Sequence, residues 1–299
     1  MCVLKVPTDA SLLDVLVFYI CYADMCYIWE LERFQYPWPT PDMVIHRNHQ
    51  VKDLLAAASE TPVKQFVFVQ CLNDSPDEAK WVMSLAKENP CIKGIVAGLD
   101  PSCPQFGERL KKLKEDVPLL VGIRHIMDLE THQEEFLMKD EVAASMKALA
   151  SQNLTYDLLL RPPLVKAATV LVSKSPECKF VVDHLAKPYI AKGIFDPWSE
   201  QMTELARHPN VYCKLSSMIT EADLENWKTD DFRPYVEHML KVFGPDRLMF
   251  GSDWPVCRLA RNTDYGTVYN TLRQLLSHLP EDQLKKIFCY NARRFYNIP

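Results

Sequence analysis

The side chains of this chain that suit acid–base or ligand chemistry recur at one kind of place, the end of a short apolar run. Asp253 follows Leu248-Met-Phe-Gly-Ser and precedes Trp254 and Pro255. A carboxylate there is placed by a buried strand yet lies outside the packed interior, which in a parallel α/β fold is where reactions occur. Taken alone, Asp253 could equally cap the next helix. The pattern repeats, however, with Gln70, Asp100, Arg124-His125, Arg161, Asp183-His184, and Lys214 with Ser216 each closing a run of its own. If the runs are parallel strands, all of these ends meet on one face around one pocket.

The chemistry such a set supports is hydrolytic. Asp253 reads as a general base, or as the carboxylate that orients a water, kept ionised by neighbouring cations. His184 suits metal binding, a hydrogen bond to a carbonyl, or proton shuttling. Arg124, His125, Arg161 and Lys214 bring positive charge for a substrate carboxylate or for the oxyanion formed on an ester carbonyl. The structural alternative is an internal ion-pair network, with His184 a satisfied core histidine and Lys214 reaching solvent along its stem. No Gly-x-Ser-x-Gly elbow occurs, so a serine-hydrolase mechanism lacks its nucleophile. His46 and His49 stand on a polar loop before the first helix and read as solvated rather than ligating.

The elements that must position these residues alternate. Apolar runs at 65–70, 92–100, 119–126, 156–161, 179–185, 211–216 and 248–252 read as strands, and an eighth is expected at 15–22 or slightly later. Amphipathic stretches at 51–59, 76–88, 106–115, 134–151, 164–175, 198–208, 232–243 and 264–278 read as helices, with a helical tail at 280–296. Strand–helix alternation implies parallel pairing through right-handed crossovers, and eight repeats in 299 residues imply a (β/α)8 TIM-type barrel. A doubly wound sheet is the competing architecture, but no Gly-x-Gly-x-x-Gly follows any run. The segment Trp29–Trp38 is rich in aromatics and proline. It reads as a packed irregular loop, with Trp29, Tyr36 and Trp38 as candidates for a pocket wall.

Composition excludes several classes. A net charge of -5 leaves no basic footprint for nucleic acid. The ten cysteines form no Cys-x-x-Cys pair, which argues against a thiolate zinc site and for a reducing, cytoplasmic setting. The apolar stretch from Leu12 to Tyr22 is too short to span a bilayer and carries Asp14, so no membrane partner is expected. Residues 1–24 read as an atypical leader or an altered first strand, and 25–299 as a single domain.

In combination, Trp29-Glu-Leu-Glu-Arg-Phe-Gln-Tyr-Pro-Trp38, Gly122-Ile-Arg-His125, Val182-Asp-His-Leu-Ala-Lys-Pro188, Cys213-Lys-Leu-Ser-Ser-Met-Ile-Thr-Glu221 and Phe250-Gly-Ser-Asp-Trp-Pro255 resemble the amidohydrolase-related family, in particular its sugar-lactone and dicarboxylate-lactone hydrolases. The resemblance implies a distorted, metal-dependent-hydrolase-like barrel in which Asp253 activates water against a lactone carbonyl. It places His184 in the site with Arg124 and His125 lining it; with the residue reading above, His184 and His125 are expected in the catalytic group, and Arg124, Arg161, Lys214, Trp254 and Trp29 against substrate. The partner it implies is a small lactone, with a homodimer as the assembly. It also exposes a departure. The family's first strand usually ends in His-x-His, two and four residues before the tryptophan matching Trp29, and here those positions are Tyr27 and Met25. Neither is a competent zinc or manganese ligand. The expectation is therefore no required cofactor, or one weakly held divalent cation for which His184 and Asp253 are the remaining ligands. The same gap offers one alternative, a catalytically impaired barrel, and argues against another, a decarboxylase on the same fold, whose chemistry leans on the metal.

Overall fold

A computed structural model describes residues 22–34 and 36–298. Eight strands form one parallel sheet in strictly sequential order, β1 (Tyr22–Cys26), β2 (Val63–Val69), β3 (Ile92–Gly98), β4 (Leu120–Arg124), β5 (Thr155–Leu158), β6 (Lys179–Val182), β7 (Val211–Leu215) and β8 (Leu248–Phe250). Each pairs in parallel with the next, and helices fill the connections, giving a TIM-like α/β fold. The strands read as unbroken apolar runs because both faces are covered; β4 and β5 are buried at every position. The apolar stretch before Tyr22 lies largely outside the described residues, and the first strand ends at Cys26.

Among the described residues no backbone ladder joins β1 to β8; side chains bring them together instead. The Asp24 carboxylate accepts from the Ser252 backbone N–H (2.8 Å), the Ser252 hydroxyl (2.6 Å) and the Tyr265 hydroxyl (2.7 Å). The Tyr27 N–H donates to the Trp254 carbonyl at 3.2 Å, which sets the end of β1 beside the segment carrying Asp253.

Three departures from the sequence pattern bear on the site. The expected strand at 179–185 stops at Val182, because His184, Leu185, Ala186 and Lys187 all adopt positive φ, between 49° and 58°. The helix expected at 134–151 is two, Gln133–Met138 and Asp140–Ser151, broken where Lys139 turns extended (φ -60°, ψ 138°). The carboxyl-terminal tail is interrupted by a π turn at Lys286–Tyr290 between helices Glu281–Lys285 and Asn291–Phe295. Gly98 at the end of β3 permits a close approach: a Cβ there would lie 2.3 Å from the Asn73 carbonyl oxygen and 2.6 Å from the Asp74 Cα. The loop leaving β2 therefore crosses directly over it. No described helix is long and apolar enough to cross a membrane.

Candidate active site

The carboxyl-terminal ends of the strands surround a cavity of about 470 Å³, lined by Tyr27, Trp38, Leu72, Arg124, Arg161, His184, Lys187, Ser217, Glu221 and Asp253, among others. Its backbone is unusual in a way the sequence does not announce. Apart from three asparagines, which tolerate the left-handed region, every described non-glycine residue with positive φ either lines this cavity (Leu72, His184, Lys187, Ser217, Asp253) or lies in the turn between His184 and Lys187. Each such residue costs on the order of 1–2 kcal/mol relative to right-handed backbone. Strain concentrated at one cavity and absent elsewhere marks a site whose side-chain directions are fixed by the surrounding fold.

Asp253 and His184 meet here. Asp253 Oδ1 lies 3.9 Å from His184 Nε2, and Asp253 Oδ2 accepts from the Ser217 hydroxyl at 2.7 Å. His184 Nδ1 shares a hydrogen bond with the Ser216 hydroxyl (2.8 Å), and Nε2 shares one with the Tyr27 hydroxyl (3.1 Å). The Arg124 guanidinium donates to the Tyr27 oxygen at 3.2 Å and to Asp183 at 2.8 Å, and also to the Gln70 carbonyl. Burial decides the protonation of the central pair. It pushes the Asp253 carboxyl up to about 7, against the Ser217 hydrogen bond and the charges of Lys187 and Arg124. Burial likewise holds the His184 imidazole well below its usual range, so the ring is neutral. Desolvation thus outweighs the neighbouring cations, and the Asp253 carboxyl titrates near neutral pH instead of staying fully ionised.

Lys214 stands elsewhere. Its ammonium is 2.6 Å from both Asp157 and Asp183, with side-chain exposures of 2%, 0% and 0%. Tyr296, from the tail helix, donates to Asp157 at 2.7 Å. Lys214 therefore belongs to a dry charge network inside the sheet and does not line the cavity, as the ion-pair alternative has it. Burial raises Asp157 to about 6, while the charges of Lys214 and Arg124 overcome burial and hold Asp183 well below the usual carboxylate range. His125 is also apart from the cavity wall. It lies between the carboxylates of Asp74 (3.0 Å) and Glu130 (2.8 Å) and stacks on Phe136 at 4.8 Å. Burial opposes its charge, but these acids raise its pKa overall. Trp29 and Trp254 are packing residues around His49, whose ring meets theirs edge-on at 5.0 and 5.3 Å. Arg161 lines the cavity 3.5 Å from Glu221.

Of the polar lining residues, Tyr27, Asp128, Lys187, Ser217, Thr220 and Glu221 carry no site role on sequence grounds alone. Lys187 and Glu221 sit inside the quoted motifs, so position after an apolar run was the available signal. Tyr27 stands where the family usually has a histidine, but only packing across the sheet reveals that its phenol reaches His184.

A divalent cation does not fit these residues. Among the described residues no cluster of three His, Cys, Asp or Glu side chains has metal-binding proximity. His184 Nε2, the nitrogen that would face a cation shared with Asp253, is engaged by a phenol with a guanidinium behind it.

The amidohydrolase family model matches residues 11–298. An L-fucono-1,5-lactonase of Burkholderia ambifaria is 30% identical over 277 residues, covering 91% of this chain and 93% of its own. An L-rhamnono-gamma-lactonase of Scheffersomyces stipitis is 30% identical over 275 residues, covering 80% and 79%. A crystal structure of an amidohydrolase from Burkholderia multivorans with bound zinc superposes with a TM-score of 0.86 at 28% identity, covering 93% of this chain and all of that one. With the match spanning strand, turn and site alike, this chain belongs to the amidohydrolase family.

Proposed function

We propose that the cavity hydrolyses a small lactone, with Asp253 as general base. Water held beside Asp253 Oδ1 gives up a proton to the carboxylate as its oxygen attacks the lactone carbonyl carbon. The carbonyl π electrons move onto the oxygen. When they return, the ring C–O bond breaks, and the departing ring oxygen takes the proton from Asp253 to become a hydroxyl. The observation that carries this reading is a buried carboxyl on a strained turn, raised to about 7 and set 3.9 Å from a neutral imidazole. A base matched to neutral pH is what proton abstraction from water needs. The lactonase names of the relatives support the reaction class.

The rim favours a hydroxyl-rich sugar-acid lactone over a dicarboxylate lactone. All three lining cations already face acids, Arg161 with Glu221 at 3.5 Å, Lys187 with Asp128 at 3.8 Å and Arg124 with Asp183 at 2.8 Å. Donors and acceptors therefore alternate around the opening, and no cation is left over for an anionic substrate. In this reading the sheet closes into a barrel where Asp24 of β1 holds Ser252 beyond β8. A panel of sugar-acid and dicarboxylate lactones, followed by pH-stat, tests the function. Sugar-acid lactones should be opened, and Asp253→Asn should lower kcat by about a hundred- to ten-thousand-fold with the fold intact. Failure of the unmodified protein to open any lactone, or an Asp253→Asn variant of undiminished rate, rejects the proposal.

A further inference from the structure

A cation shared by His184 Nε2 and Asp253 Oδ1 would sit about 2 Å from each, which at a tetrahedral angle needs the two ligands somewhat over 3 Å apart. They stand at 3.9 Å, so these two side chains are placed for such a site with little movement. What stands in the way is a third side chain. The Tyr27 oxygen is 3.1 Å from the same Nε2, on the cavity floor. The Arg124 guanidinium is 3.2 Å from that oxygen and 5.4 Å over the Tyr27 ring. Asp183 and the Gln70 carbonyl hold the guanidinium from behind.

We propose that Tyr27, carried by Arg124, takes the place of a divalent cation in this cavity, occupying the His184 nitrogen a metal would use and presenting a polarised hydroxyl to the oxygen of the bound ligand. The phenol occupies the nitrogen a metal would take, so phenol and metal exclude each other there, and the guanidinium behind it weakens any cation's hold. A phenol is also a poor substitute for the imidazole, carboxylate or thiolate that a catalytic zinc site takes as its third ligand. With the histidine proton on Nε2, the phenol oxygen accepts from both Arg124 and His184. Its own proton is then the one left to donate to a ligand oxygen, as an oxyanion-hole donor does.

The deciding experiment is a cobalt(II) titration of the full chain, followed by visible absorption and calorimetry, and it does not depend on turnover. The unmodified protein and Tyr27→Phe should bind no stoichiometric cobalt. Tyr27→His, which supplies a third ligand, should bind one equivalent at least about thirty-fold more tightly than the unmodified protein, and adding Asp253→Asn should abolish this gain. Tyr27→His with Arg124→Gln removes residual repulsion and should bind tighter still, with circular dichroism checking that each variant is folded. One tight equivalent in the unmodified protein, or no gain in either histidine variant, overturns the proposal. A second arm rests on the lactone reading. Chelator should leave turnover unchanged, and Tyr27→Phe should lower kcat about a hundred- to a thousand-fold, as loss of one oxyanion donor does, with KM within about three-fold. An unchanged kcat also overturns the donor role. Absence of all lactone turnover in the unmodified protein would reject the lactone reading, and the titration then decides this one by itself.

Discussion

At the scale of the residue, the proposed mechanism makes Asp253 the source of the pH dependence. Its carboxyl is raised from 3.8 to about 7 by burial, so the base form is half populated at that value and predominates above it. The kcat/KM for a lactone should therefore climb with pH, pass half its maximum near 7 and then level off, measurable across pH 5–9. Stability runs the opposite way. Between the two values the folded state holds a proton that the unfolded chain has released, so unfolding free energy falls as pH rises through that window. Asp253→Asn removes the penalty and should melt a few degrees above the unmodified protein at pH 8, with no gain near pH 4, by calorimetry. Arg161 lines the opening with a side chain 44% exposed. Arg161→Met should raise KM while sparing kcat, as loss of uniform substrate binding does.

At the scale of the element, the turn after β6 and the helix after β2 do most of the positioning. The left-handed turn from His184 to Lys187 swings both of these side chains onto one cavity wall. Helix Pro76–Glu88 is started by the Ser75 side chain, which accepts from the Asp77 N–H, and this fixes Glu78 in the first turn. Fully buried Glu78 accepts from the Tyr36 hydroxyl (3.0 Å) and the Cys71 N–H (3.1 Å), joining the loop that carries Trp38 to the end of β2. Burial raises its carboxyl from 4.5 to about 8, against both hydrogen bonds. The folded state again holds the extra proton, so this group lowers stability as pH rises from 4.5 to about 8. Glu78→Gln should flatten that decline, seen as a smaller loss of unfolding free energy between pH 6 and pH 9 in urea titrations. A variant with the same slope as the unmodified protein would remove Glu78 from the account.

At the scale of the whole molecule, the centre of the sheet is held by charge. Arg124 from β4, Asp157 from β5, Asp183 from the end of β6, Lys214 from β7 and Tyr296 from the tail form one buried network. Removing one partner of such a set leaves an uncompensated charge in a dry interior. Lys214→Met should lose about 3–5 kcal/mol or more in denaturant unfolding, and pairing it with Asp157→Asn should recover part of the loss. Because Asp183 also anchors Arg124, the network fixes the cavity floor as well as the fold.

The sequence alone determined the order of strands and helices, and with it the face on which Arg124, Arg161, His184 and Asp253 gather. That follows from periodicity, since parallel strands joined by helices place all carboxyl-terminal ends together. It also determined that the first strand lacks the family's two histidines. Tertiary structure alone decided which polar strand ends face the cavity and which face each other. Lys214 and Arg161 end similar apolar runs, yet one is sealed between two aspartates and the other lines the opening. The difference lies in side-chain direction at the close of each run, which depends on the left-handed turns and on how far the strand continues. Protonation was likewise beyond reach of spacing, because the desolvation of Asp253 is a property of everything packed around it. The role of Tyr27 was hidden for the same reason: its partner His184 is 157 residues away in the chain and 3.1 Å away in space.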